Sequence, residues 1–300
     1  MFFLLSYASF VFFLYFCAMK LIADSGSTKT DWALVDDAGQ TTYIHTEGIS
    51  PIHQDETTIS NILRSELLSP VSTHISPLNT RLTVYFYGSG VTAEHESAME
   101  RLLRNMLGAT SVSVHSDLLG AARGLCGRNE GIACILGTGS NSCYYDGTDI
   151  RQHTPALGYV LGDEGSGAVL GRLFLNALYK GVLSESMRTD FEQQTGLNLP
   201  AIIHKVYRQP LANRFLASLS SFIHDHLDCK PLEALVIDNF RVFLQRNVVP
   251  YWRKDLPVSA VGSVAFHYRE QLEQAARDEG FMVGTILQSP LEGLLKYHQE

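Results

Sequence analysis

Leu21-Ile22-Ala23-Asp24-Ser25-Gly26-Ser27-Thr28-Lys29-Thr30-Asp31-Trp32-Ala33-Leu34-Val35 is the stretch that decides the fold of this 300-residue chain. Two short apolar runs, LIA and WALV, flank a turn of small hydroxylated residues built around one glycine. Apolar runs of that length, bounded by turn residues, read as buried strands. A second turn follows at Asp36-Asp37-Ala38-Gly39, and residues 42–45 supply a third strand. The chain therefore opens with a β-meander whose glycine-rich turn joins its first two strands. Gly26 permits a tight backbone, and Ser27, Thr28 and Thr30 add hydroxyls and N–H groups, a combination that can wrap phosphate oxygens. Lys29 adds a positive charge, and Asp24 at the strand end can hold Mg²⁺ directly or through water. An ordinary hairpin turn has the same appearance. The Walker A pattern is absent, and a strand rather than a helix follows, so this is neither a P-loop nor a dinucleotide fingerprint.

The same device recurs further on. Residues 131–136 (GIACIL) read as a buried strand that ends in Gly137-Thr138-Gly139-Ser140-Asn141, and residues 142–145 return as a strand. Two such turns, each opening one half of the chain, fit a phosphate clamp far better than one turn does. A third, Val261-Gly262-Ser263, joins a strand (258–261) to a helix; a glycine there lets a flat base approach the backbone. In the first half, helices are expected at 59–68, 94–107 and 118–125, strands at 82–87 and 111–115, and a loop at 69–80 around Pro70 and Pro77. The second half is mostly helical, at 166–180, 188–195, 201–207, 213–226, 232–249, 264–279 and 291–298, with one more strand at 281–286. This rough internal duplication predicts an α/β protein of two lobes with a central cleft between them.

Composition narrows the function. The chain is 45% hydrophobic and 18% charged, as globular proteins are. Its formal net charge is −8 and it has no Lys/Arg run, which argues against nucleic-acid binding. The five cysteines are odd in number and none has C-x-x-C spacing, so free thiols in a reducing cytosol are expected rather than a disulfide framework or zinc site. The histidines show no metal-ligand spacing.

Two sets of carboxylates stand out. Asp117 lies between a short strand and a helix of small residues, where it reads either as a helix N-cap or as a general base. In Gly162-Asp163-Glu164-Gly165-Ser166-Gly167, two acids sit between glycines just before a long helix. They read either as favourable charges at a helix N-terminus or as acids exposed to a cleft, where sugar hydroxyls could donate to them.

From Met19 onward the chain resembles the N-acetylglucosamine kinase branch of the BadF/BadG/BcrA/BcrD ATPase family, within the actin/hexokinase-like superfamily. The motifs that carry the resemblance are DSGSTKTDW, SDLLGAARG, ILGTGSNS, LGYVLGDEGSG and VGSVAF, in that order. The resemblance implies a two-lobed ribonuclease-H-like (actin-like ATPase) fold, ATP and Mg²⁺ in an interdomain cleft, and phosphoryl transfer to a hydroxyl of an amino sugar, the C6 hydroxyl of N-acetylglucosamine. It implies Asp117 as catalytic base and Asp24 as the Mg²⁺-linked acid. It implies ATP contacts from Ser27, Thr28, Lys29, Gly137, Thr138, Gly139, Gly262 and Ser263, and sugar contacts from Thr138, Asn141, Asp163 and Glu164. The lobes are expected to be 19–122 with 287–300, and 123–286, in a cytoplasmic homodimer. The mammalian enzymes place an Asn and a Trp against the sugar near the end of the first meander; here Gly48-Ile49-Ser50-Pro51-Ile52-His53-Gln54 has neither. The alternatives are a BadF-type ATPase activator, which needs cysteine ligands for an iron–sulfur cluster, and a nucleotide-dependent sensor.

Residues 1–18 are apolar or weakly polar and uncharged. They lack the basic n-region of a signal peptide. A membrane anchor and a true start at Met19 are the other readings, and the start at Met19 is the expectation taken forward.

Overall fold

The computed structural model describes residues 17–26, 28–74 and 80–299. Nearly all of the apolar leader and Ser27, expected at the phosphate turn, lie outside the described residues. The chain divides into two compact units, one up to Val114 and one from His115.

The first unit is built on β1 (Cys17–Ser25), β2 (Lys29–Val35), β3 (Thr41–Glu47), β4 (Thr80–Gly88) and β5 (Ser111–Ser116), in the spatial order β3-β2-β1-β4-β5. β1 pairs antiparallel with β2 and parallel with β4, so it is central and apolar on both faces. It starts four residues before the Leu21 expected to open it, with Cys17 opposite Thr80. Trp32 is fully buried, tilted against Phe86 at 5.8 Å, and its indole N–H donates to Thr46 Oγ1 at 3.1 Å. Burying such a ring contributes about 2–3 kcal/mol, and the hydrogen bond removes the cost of enclosing its one polar atom.

The second unit repeats the plan with β6 (Glu130–Leu136), β7 (Ser140–Asp146), β8 (Ile150–Thr154), β9 (Val258–Val261) and β10 (Val283–Leu287), in the order β10-β9-β6-β7-β8. In each unit three antiparallel strands come first, the next strand pairs in parallel with the first of them, and one more lies beyond it, which bears out the internal duplication read from the sequence. Its helical core gathers Phe174, Phe191 and Phe222 with centroids 5.2–5.6 Å apart.

Three local expectations need correction. The first-half helix does not stop before Pro70: a helix over Glu56–Ile62 runs through a π-turn at Leu63–Leu67 into Leu68–Ser72. Pro70 falls in the first turn after that register change, where a missing N–H costs little. The helix expected at 213–226 is two short ones, Ala212–Ser218 and Ser220–Asp225. β8 went unread because IRQHT is polar; it is an exposed edge strand.

Candidate active site

The second unit brings together most of the expected residues. β6 and β7 are joined by the turn Gly137-Thr138-Gly139, closed by a bond from the Gly137 N–H to the Gly139 carbonyl at 2.9 Å. The helix Gly167–Tyr179 begins directly against this turn. Its first two N–H groups, of Gly167 and Ala168, donate to the carbonyls of Gly137 and Thr138 at 2.8 and 3.1 Å. The turn's carbonyls are thus tied down, while the Thr138 and Gly139 N–H groups and the Thr138 hydroxyl make no bond among the described residues. Fixed donors of this kind suit an anion.

Gly262 lies on the same turn. Its φ is +125°, and a Cβ placed there would sit 2.3 Å from the Leu136 carbonyl oxygen and 3.3 Å from the Gly137 nitrogen. Only glycine fits. Ser263 then opens the helix Ser263–His267 and lines a 480 Å³ pocket with Ser221, His224, Val264, His267 and Tyr268. The His224 ring meets His267 and Tyr268 edge-on, at 6.0 and 5.5 Å. A flat heterocycle can lie against such rings. No local sequence pattern marks His224 or His267; they meet at Ser263 only because separate helices pack there.

Asp163 is buried with φ +55°, a left-handed conformation that is costly for a non-glycine residue. The neighbouring turn enforces it: the Asp163 N–H donates to the Ala156 carbonyl, and the Ser166 N–H to the Asp163 carbonyl, both at 3.1 Å. Its carboxylate faces Gly139, where a Cβ would lie 3.1 Å from Asp163 Oδ2. Burial raises its pKa above the ordinary carboxylate value; a hydrogen bond from the Ser140 backbone opposes this, and the Glu164 charge adds to it. The flanking glycines do not serve to expose the acids, contrary to expectation. Gly162 and Gly165 are themselves buried, and a Cβ on either would strike the Ala156 carbonyl at 2.2 Å or Phe243 Cβ at 2.8 Å. Glu164 points to Arg246 Nη1 at 2.7 Å, with Asn247 nearby. Burial alone would raise its pKa, but these partners outweigh burial and hold it below the usual range. Asn141 accepts from Ser142 N–H at 3.0 Å and pairs with His153 Nε2 at 2.8 Å through Oδ1, while its amide nitrogen has no partner among the described residues.

Asp117 is not the helix cap. Ser116 caps the helix Asp117–Cys126, accepting from the Leu119 N–H at 3.3 Å, and Asp117 is its first residue. The Asp117 Oδ1 accepts from the adjacent Leu118 N–H at 2.8 Å. Burial drives its pKa to about 6 against the pull of that bond and of its own N–H. A carboxylate poised near neutral pH at a helix head is suited to taking a proton.

In the first unit, the β1–β2 turn closes through a Gly26 N–H bond to the Lys29 carbonyl at 2.9 Å. Ser25 Oγ lies 2.6 Å from Thr30 Oγ1 and donates to the Ile49 carbonyl at 2.9 Å, while Thr30 Oγ1 donates to the Glu47 carbonyl at 3.1 Å. Those hydroxyls brace the turn against the Gly48–Gln54 loop, leaving Thr28 exposed at the tip. Lys29 folds back onto Asp31 at 2.7 Å, and Asp31 also holds His45 at 2.7 Å. Asp24, one residue before the end of β1, lies opposite Asp31. Among the described residues no three His, Cys, Asp or Glu gather for a metal; a single carboxylate fits Mg²⁺ that arrives on a nucleotide, because Mg²⁺ keeps waters and phosphate oxygens as its other ligands.

The duplicated sheets and the glycine turns define the actin-like class of α/β ATPase fold. No family model and no curated protein matches the sequence. Among solved structures, a candidate N-acetylglucosamine kinase from Porphyromonas gingivalis has TM-score 0.88 and 49% identity, covering 93% of this chain and 98% of its own. The chain belongs to the family of that protein. A candidate N-acetylglucosamine kinase from Chromobacterium violaceum shares the fold at TM-score 0.70 and 19% identity, covering 95% of this chain and 99% of its own. So does the ethanolamine utilization protein EutJ from Carboxydothermus hydrogenoformans, at TM-score 0.55 and 16% identity, covering 93% and 90%. No helix among the described residues is long and apolar enough to cross a membrane.

Proposed function

We propose that the chain is an ATP-dependent sugar kinase of the BadF/BadG/BcrA/BcrD family that phosphorylates the C6 hydroxyl of an N-acetylhexosamine, N-acetylglucosamine first among them. The observation that carries this reading is Asp117, a carboxyl with a pKa of about 6 that its helix does not need as a cap. Asp117 accepts the proton of the acceptor hydroxyl, whose oxygen bonds the γ-phosphorus as the bond to ADP breaks. The N–H groups of Thr138 and Gly139 and the Thr138 hydroxyl steady the negative charge of the phosphates. Thr28 adds a contact, and Asp24 would hold Mg²⁺, which supplies charge neutralisation at the phosphates. Gly262 and Ser263 admit the nucleobase beside His224 and His267. Asn141 and Asp163 hydrogen-bond the sugar. Glu164, held by Arg246, fixes the Asp163 turn as well as offering an acceptor.

The test is ADP release over a panel of N-acetylglucosamine, glucosamine, N-acetylmannosamine, N-acetylmuramic acid and glucose. Stimulation by the N-acetylhexosamines supports the reading; ADP release indifferent to every sugar refutes it.

A further inference from the structure

A 660 Å³ pocket is bordered by Gly162 and Glu164 and by residues of the helices Gly167–Tyr179 and Lys230–Phe243. Apart from Glu164, none of the residues given a catalytic or binding role lines it. Its size falls within the roughly 300–1,000 Å³ of small-molecule sites. Three large apolar side chains on its rim are left in solvent: Val160 at 66% exposure, Leu161 at 76% and Val182 at 67%. Apolar groups concentrated in this way around a concavity mark a surface that receives an apolar body.

The polar side of the pocket has a definite charge. Of its two acids, Glu164 is paired with Arg246, and Asp238 is paired with Arg241, which lies outside the lining. The remaining cation on the wall, Arg172, donates to the Tyr159 carbonyl at 3.4 Å and has no carboxylate partner among the described residues. One guanidinium without a counter-ion, beside an apolar trough, calls for one monoanionic head on an apolar chain. Guanidinium binds carboxylate through two parallel hydrogen bonds.

We propose that this pocket binds a small amphiphilic monocarboxylate, its head on Arg172 and its chain over Leu161, Leu173, Val182 and Leu235. The pocket shares Glu164 with the proposed acceptor contacts and no residue with the nucleotide contacts, and it stands whether or not the kinase reading holds. Octanoate is titrated into the intact chain by calorimetry, with octanol as the headless control. Saturable binding of one octanoate per chain is expected, weakened about tenfold in octanol and in Arg172→Ala. Ala234→Trp fills the trough from an exposed lining position and abolishes binding, with an unchanged circular-dichroism melt. The proposal is overturned by an absence of saturable heat, or by equal affinity for octanoate and octanol together with indifference to Arg172→Ala. A sedimentation experiment in which Ala234→Trp splits a dimer overturns it too, because the occupant is then a second copy. If Ala234→Trp fails to fold, the octanol and Arg172→Ala comparisons decide alone.

Discussion

Asp117→Asn should make the protein more stable and nearly inactive at once. A carboxyl moved from 3.8 to about 6 carries roughly 3 kcal/mol of preference for its neutral form, at about 1.4 kcal/mol per pH unit. Because the folded pKa is raised, ionised Asp117 disfavours the fold. The penalty is full above about pH 6, shrinks as pH falls toward 3.8, and vanishes below that, where both states are protonated. Asparagine keeps the shape and can still accept from the Leu118 N–H through its carbonyl oxygen, so the substitution removes the charge and little else. The expected gain at pH 7.5 is up to about 3 kcal/mol, or on the order of 5 °C in Tm for a chain of this size. The same substitution removes the proton acceptor, so kcat should fall by about 10² to 10⁴ while nucleotide affinity stays within about twofold. In the wild type the rate should fall on the acid side with a midpoint near 6. Calorimetry at pH 7.5 and pH 4, with ADP release on the same samples, checks both halves. A destabilised Asp117→Asn, or one whose turnover is undiminished, refutes the reasoning.

The glycines divide by what surrounds them. Gly262→Ala forces a Cβ to within 2.3 Å of the Leu136 carbonyl at φ +125°, so a loss of about 3 kcal/mol or more is expected in a urea titration. Gly137→Ala meets nothing within 4 Å; its melt should match wild type, and any change should appear in KM for ATP. His224→Ala removes one ring from the pocket beside Ser263 and should raise KM for ATP about threefold to tenfold with kcat nearly unchanged, read from initial rates. Asp24→Asn should raise the Mg²⁺ concentration for half-maximal activity by on the order of tenfold to a hundredfold, measured by Mg²⁺ titration at saturating ATP.

The strands and the duplication were legible because buried strands write themselves as short apolar runs between turn residues, as LIA, WALV, LTVYFY and GIACIL do. β8 was not, because one solvent-facing edge imposes no such pattern. Ser116 and Asp117 are both good cap residues, and which of them caps depends on one residue of register. The glycines around Asp163-Glu164 were visible, but their reason was not: Gly162 and Gly165 make room for Ala156 and Phe243, one of them distant in the chain. The Glu164–Arg246 pair and the His224–His267 pocket likewise join segments more than forty residues apart, which no local periodicity encodes.

Phosphorus NMR of a reaction containing ATP, Mg²⁺ and N-acetylglucosamine asks directly where the γ-phosphoryl group goes. The account predicts a sugar phosphomonoester coupled to the C6 protons, formed in step with ADP, and little inorganic phosphate. Inorganic phosphate accumulating at the same rate with and without sugar contradicts it.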